Sequence, residues 1–234
     1  MSIPKTSSPS NTAPIFETHW EMAAKTRMGK YLTDVERAFI EKAVDFSKTE
    51  LVLDVGAESG RISLIALNTK TSVVSIDIDS VSLKRLKQRT QQAYIIAADA
   101  RKLPFISEVF DAAFMIEVLD YIPELNVALN ECSRTLKPHS SCVLSFGNKS
   151  SFKAKLKGLK GPSYLHSHKC VIQNLSKTSF RLQAQVGYSW LPFGRISQNG
   201  LVPIFAWLER ILGLRRLRRY SPWVMFHVVK QSNK

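Results

Sequence analysis

The 234-residue sequence predicts an α/β fold: a mostly parallel, seven-stranded sheet with helices on both faces and an antiparallel last strand. Three observations predict it. Short apolar runs alternate with helix-patterned segments, which builds β-α-β units. Several runs are apolar throughout rather than alternating, as strands buried on both faces are. Acids and glycines recur at the carboxyl ends of these runs, where open sheets of this kind bind their ligands.

Residues 1–15, rich in Ser, Thr, Pro and Asn and without the apolar stretch of a secretory signal, read as a disordered tail. Residues 16–46 carry Leu32, Val35, Phe39, Ala43 and Phe46 at helical spacing and predict one or two helices before the sheet. Residues 50–55 form the first strand, 56–60 a tight loop and 61–67 a helix. Strand two spans 72–77, a basic helix 80–90, and strand three 93–97. Residues 110–117 (FDAAFMIE) read as a buried fourth strand, 125–136 as a helix and 141–147 as strand five. Lys137-Pro138-His139-Ser140 reads as the turn before it. Strands at 180–190 and 223–230 and helices at 171–176 and 203–212 complete the chain, which contains no internal repeat. Residues 16–234 are expected to form one domain: a core over 16–148 and an acceptor-binding cap with the last two strands over 149–234.

The charge is divided just as sharply. Residues 1–148 hold 17 basic and 18 acidic side chains, whereas residues 149–234 hold 16 basic ones and a single acid, Glu209. The first part is a neutral scaffold and the second is expected to face something anionic. Cys132, Cys142 and Cys170 form no CxxC pair and no cluster with histidine, which argues against structural zinc or a disulfide framework and fits a reducing cytoplasm. No apolar stretch approaches the ~20 residues of a membrane-spanning helix.

Asp54 closes strand one, Gly56 and Gly60 allow a sharp turn beside it, and Asp77 closes strand two, where a carboxylate suits ribose hydroxyls. Asp99 follows strand three. The Asp-x-Gly-x-x-x-Gly spacing differs from the Gly-x-Gly-x-x-Gly dinucleotide fingerprint and argues against NAD. In this order, LVLDVGAESGRIS, VVSIDID, AADARKLPF, FDAAFMIEVLDYI and CSRTLKP resemble the class I S-adenosylmethionine-dependent methyltransferases over residues 51–146, with the small-molecule and quinone-type enzymes nearest. The resemblance implies a Rossmann-like fold and S-adenosyl-L-methionine as cofactor. It places Asp54, Gly56 and Gly60 at the methionine moiety, Asp77 at the ribose, Asp99 and Ala100 at the adenine, and Glu117 and Val118 along the cleft, with Ile78 also among the cofactor-binding residues. Two positions depart from it: Glu58 replaces the middle glycine, and His139-Ser140 replaces a Gly-Gly turn.

Other residues carry two readings each. Trp20 and Tyr31 are either core of the first helices or a lid over the cofactor, and Asp120 with Tyr121 either a cap and a packed aromatic or a cleft wall near the transferred methyl. His166 and His168 are either structural or bases for the acceptor's proton. No third ligand accompanies them, and no metal site is expected.

The basic part holds one cluster at Lys153, Lys155, Lys157 and Lys160 and another at Arg210, Arg215, Arg216, Arg218 and Arg219. Ile204, Leu208, Ile211 and Leu212 share one helix face, so this stretch is a basic amphipathic element suited to an anionic membrane surface, or its apolar face packs on the sheet. The leading expectation is a methyltransferase acting on a small lipophilic or lipid-linked acceptor, cytoplasmic and peripheral at that surface. A nucleic-acid methyltransferase is the rival, disfavoured because strand four leads into Ile116-Glu117-Val118-Leu119 rather than an Asn/Asp-Pro-Pro-aromatic run. A non-catalytic binding protein with the same fold is the third reading, supported by Glu58.

Overall fold

A computed structural model describes residues 17–157 and 166–232. The tail expected over residues 1–15 and Lys160 lie outside the described residues, as does the side chain of Lys157. The strands are β1 (Leu51–Val55), β2 (Ser72–Asp77), β3 (Ala93–Ala97), β4 (Phe110–Met115), β5 (Leu136–Gly147), β6 (Phe180–Tyr188) and β7 (Trp223–Lys230). They form one seven-stranded sheet in the order β3-β2-β1-β4-β5-β7-β6. Pairing is parallel from β3 to β5, and β7 runs antiparallel to both neighbours.

Side chains alternate across the central strands and so supply both faces. Leu53, Ala113 and Met115 face one side and pack with Leu129 of helix α5 (Leu125–Thr135) and Val171 of α7 (His168–Leu175). Val52, Ala112 and Phe114 face the other and pack with Ile40 of α2 (Arg27–Ala43) and Ile62 and Ile65 of α3 (Arg61–Leu67). Helix α4 (Ser80–Arg89) covers β2 and β3, and α6 (Phe152–Lys157) follows β5.

The N-terminal helical region is split into α1 (His19–Ala24) and α2. Thr18 and Glu21 form a reciprocal capping box on α1, and Thr26 caps α2 by accepting the Gly29 N–H. The expected turn before strand five lies inside β5. Phe110 pairs with Leu136 and Ala112 with Ser141, so residues 137–140 bulge out of the ladder, with His139 at φ 66°.

Gly147 and Tyr188 both pair with Trp223, the first residue of β7. Residues 189–222 therefore leave and re-enter the sheet at one edge, the carboxyl edge of β1, β4 and β5. They hold α8 (Val202–Ile211) and a short 3-10 turn, Leu214–Arg216. Val202, Phe205 and Ala206 pack with Met28, Tyr31 and Leu32 of α2. The opposite side of α8 stays in solvent: Ile204, Trp207 and Ile211 are each 53% exposed and Leu212 64%. The face that carries Ile204, Ile211 and Leu212 is thus not packed on the sheet, whereas Val202 and Phe205 cluster with Trp223 and Met225 of β7. Among the described residues no helix is long and apolar enough to cross a membrane.

Candidate active site

The loops after β1, β2, β3 and β4 enclose a cavity of about 760 Å³ at the carboxyl edge of the sheet. Strand β1 delivers Asp54, buried and accepting a hydrogen bond from Ser63 Oγ at 2.5 Å. Burial pushes its carboxyl up to about 6, against the opposing pull of the Ser63 hydrogen bond and the Arg61 charge. The chain then turns through left-handed residues, Gly56 at φ 74°, Glu58 at 49° and Gly60 at 89°. A Cβ on Gly56 would lie 2.5 Å from Val118 Cγ2, and one on Gly60 2.2 Å from Leu86 Cδ1, so the loop closes against β4's end and α4 only with glycine.

Glu58 keeps the left-handed turn without being glycine. Its N–H donates to Asp77 Oδ2 at 2.9 Å, and its carboxylate accepts from the Ser59 N–H at 2.7 Å and Oγ at 2.5 Å. Asp77 Oδ1 accepts the Asp79 N–H at 2.9 Å. Two main-chain donors therefore fix the Asp77 carboxylate on the cavity wall, and each oxygen retains a further lone pair. Asp99 is held by the Arg101 N–H at 2.8 Å and by its guanidinium, and those bonds keep its carboxyl below the usual range.

Glu117 follows β4 with φ 61° and its N–H on Ser145 Oγ at 2.8 Å. Arg195 pairs with one of its oxygens, and Arg61 lies 3.6 Å from the other. Arg61 also pairs with Glu36, which is fully buried and accepts the Tyr188 hydroxyl at 2.9 Å. Two acids and two arginines thus form one cluster beside the cavity. Burial raises Glu36 to about 7 despite Arg61, whereas for Glu117 burial is outweighed by Arg195 and Arg61, which hold it below the usual value. The Arg195 guanidinium stacks 4.2 Å from the Trp20 ring centroid and 5.1 Å from that of Trp223.

Asp54, Gly56, Asp77, Ile78, Asp99, Ala100, Glu117 and Val118 all line the cavity. Gly60 stands one layer back, capping α3 and touching Leu86 rather than the wall. Trp20 and Tyr31 part company: Trp20 is on the wall, but Tyr31 is core, its hydroxyl spent on Glu209. Asp120, expected as a cleft wall, and His166 and His168, expected as bases, also lie off the wall among the described residues. Asp120 is buried, both its oxygens accepting the Gly147 N–H at 3.0 Å. His166 Nε2 donates to the Ile122 carbonyl at 2.8 Å, and His168 Nε2 sits 2.8 Å from Gln185 Oε1 with its ring against Phe226. Asp120 ties its loop to the end of β5, His166 joins two loops, and His168 links α7 to β6. Sequence reasoning missed His19 and Arg61 on the wall and Arg195 behind it. Arg61 follows Gly60 directly in the loop motif, which is a usable signal, whereas Arg195 comes from the distant cap and leaves none.

The donor set suits a cation bearing ribose hydroxyls and an adenine: carboxylates at the ends of β1, β2 and β4 and after β3, with glycine backbone between them. In fold and in the make-up of this site the chain resembles the class I S-adenosylmethionine-dependent methyltransferases. The family profile described as "Methyltransferase domain" matches residues 53–144. The chain is 30% identical over 125 residues to 24-methylenesterol C-methyltransferase 3 of Arabidopsis thaliana, covering 49% of this chain and 35% of that protein. It is 32% identical over 109 residues to demethylmenaquinone methyltransferase of Paenarthrobacter aurescens, covering 47% and 43%. The matched segments thus span less than half the length of each of these relatives. The solved S-adenosylmethionine-dependent methyltransferase of Mesorhizobium loti shares the fold, with a TM-score of 0.64 at 14% identity over 82% of this chain and 96% of that one.

Proposed function

We propose that the protein transfers the methyl group of S-adenosylmethionine to a small lipophilic acceptor presented at an anionic membrane surface. One observation carries the membrane part. Helix α8 turns Ile204, Trp207, Ile211 and Leu212 to solvent on the same sheet edge that holds the cavity. Arginines lie close to it in the chain, at 210, 215, 216, 218 and 219. The only acid of residues 189–222, Glu209, points inward and pairs with Arg215, leaving no carboxylate of that segment for Arg210, Arg216, Arg218 and Arg219. An apolar strip followed in the chain by arginines that pair with no carboxylate among the described residues suits an acyl boundary beneath acidic headgroups better than a nucleic acid, which has no use for exposed Ile and Leu. The sterol and quinone substrates in the names of the two curated relatives support a lipophilic acceptor.

The cofactor would be held by Asp54, Gly56, Asp77, Ile78, Asp99, Ala100, Glu117 and Val118, with Gly60 shaping the loop. When bound it supplies an electrophilic methyl on a sulfonium. The chain's own part is alignment: Asp77 and Asp99 fix the nucleoside end, and Trp20 and Tyr121 wall the cavity toward the cap. The test is transfer of labelled methyl from S-adenosylmethionine to demethylmenaquinone or a 24-methylenesterol in vesicles containing phosphatidylglycerol. Label in the organic phase is expected. Label only in added RNA, or none in either while S-adenosylhomocysteine still binds, would overturn the reading.

A further inference from the structure

We infer that Arg195 is a positioning residue of the cap that neutralises Glu117 and thereby sets how strongly the cavity prefers the cationic methyl donor over its uncharged-sulfur product. The inference rests on the cavity being the cofactor site. Among the described residues, 189–222 supply none that lines the main cavity; Arg195 approaches it from behind, crossing to the end of β4 to pair with the Glu117 carboxylate. Its path is fixed at both ends. The Arg195 carbonyl accepts the Thr26 hydroxyl at 3.2 Å, the Ser197 carbonyl accepts the Met28 N–H at 3.1 Å, and the guanidinium lies between Trp20 and Trp223.

Charge accounts for the arrangement. Glu36 and Glu117 face Arg61 and Arg195, so each carboxyl group of the cluster has a guanidinium partner. A bare Glu117 carboxylate on the wall would attract a sulfonium in the resting complex. That attraction weakens as the methyl departs and the positive charge is lost, so it would favour the ground state over the transition state. Arg195 removes this imbalance from the far side of the carboxylate. It adds no cation to the wall itself, since it lines the small recess behind Trp20 and Arg61 rather than the main cavity.

The test is the ratio of affinities for S-adenosylmethionine and S-adenosylhomocysteine, measured by calorimetry on the full chain. R195M should raise the preference for S-adenosylmethionine roughly five- to twentyfold, as expected for one uncompensated charge on the wall of a partly desolvated cavity. E117Q should shift the ratio the opposite way, and R195K should hold it near the parent value. A purely structural arginine would lower both affinities together and leave the ratio unchanged, which overturns the inference, as does a shift of the same sign in R195M and E117Q. D77A separates the two layers of argument. If it weakens neither ligand, the cavity assignment has failed; if it weakens both while R195M leaves the ratio fixed, only the role of Arg195 has.

Discussion

The Tyr31 hydroxyl lies 2.6 and 2.7 Å from the two carboxylate oxygens of Glu209, joining α2 to the buried side of α8. The same carboxylate accepts the Trp190 N–H at 3.0 Å and Arg215 Nε at 2.8 Å, and the Tyr31 oxygen accepts the Ser189 N–H at 3.2 Å. A buried charge satisfied this fully holds the cap helix in one orientation, with its apolar strip outward. Tyr31→Phe should therefore cost about 1–3 kcal/mol of stability, because Glu209 stays buried with one donor fewer. Urea denaturation measures it, and affinity for S-adenosylhomocysteine per folded molecule should be unchanged.

Asp77→Ala should weaken S-adenosylhomocysteine binding by ~1–3 kcal/mol through loss of a fixed acceptor for the ribose hydroxyls. Calorimetric titration reads this directly. The Glu58 N–H also loses its partner, so a control melting curve is needed to show that the fold survives.

Gly56→Ala should be costly in two ways. The residue sits at φ 74°, and its new methyl would press on Val118 Cγ2 and Cβ, 2.5 and 2.7 Å away. A loss on the order of 2 kcal/mol in stability is expected from the backbone strain alone. Binding should fall as well, since Val118 is pushed along the cavity wall.

Stability should depend on pH in the neutral range. Glu36 and Asp54 have folded-state values raised by burial to about 7 and about 6, so the native state binds more protons than the unfolded chain above their ordinary values of 4.5 and 3.8. Their stabilising contribution is complete below those ordinary values and is lost as pH rises through 6 to 7. The ligand-free melting temperature should accordingly fall between pH 5 and pH 8. Asp54→Asn should flatten the lower part of that fall. A melting temperature rising through this interval would contradict the burial of both groups.

Several features of this molecule can be read from its sequence because they are local. Strands β1 to β4 are apolar runs ended by acids, and these acids reach the cavity because parallel strands all end at one edge. The bulge in β5 is hidden because Lys-Pro-His-Ser has the composition of a turn, and only the partner strand shows that the ladder resumes at Ser141. The two-way reading of Trp20 and Tyr31 is resolved by partners remote in sequence, Arg195 and Glu209. His166 offers a similar lesson: a histidine beside an acceptor region looks like a base until the Ile122 carbonyl is found at its Nε2. The Arg195–Glu117 pair spans 78 residues and carries no periodicity or motif, so nothing local announces it.

Membrane docking through α8 is the central claim, and co-sedimentation with vesicles tests it most directly. Arg215 must be left alone because it supports Glu209 from inside; Arg216, Arg218 and Arg219 are the residues to change to Gln, with Trp207 to Ser. At about 1 kcal/mol for each arginine near an acidic surface, and more for an exposed indole that enters the acyl boundary, the quadruple variant should bind phosphatidylglycerol vesicles at least several hundredfold more weakly than the parent. High salt should reproduce part of the loss in the parent, and S-adenosylhomocysteine affinity should be the same in both proteins. A parent that stays in the supernatant at low salt, or a variant that sediments as well as the parent, would contradict the account.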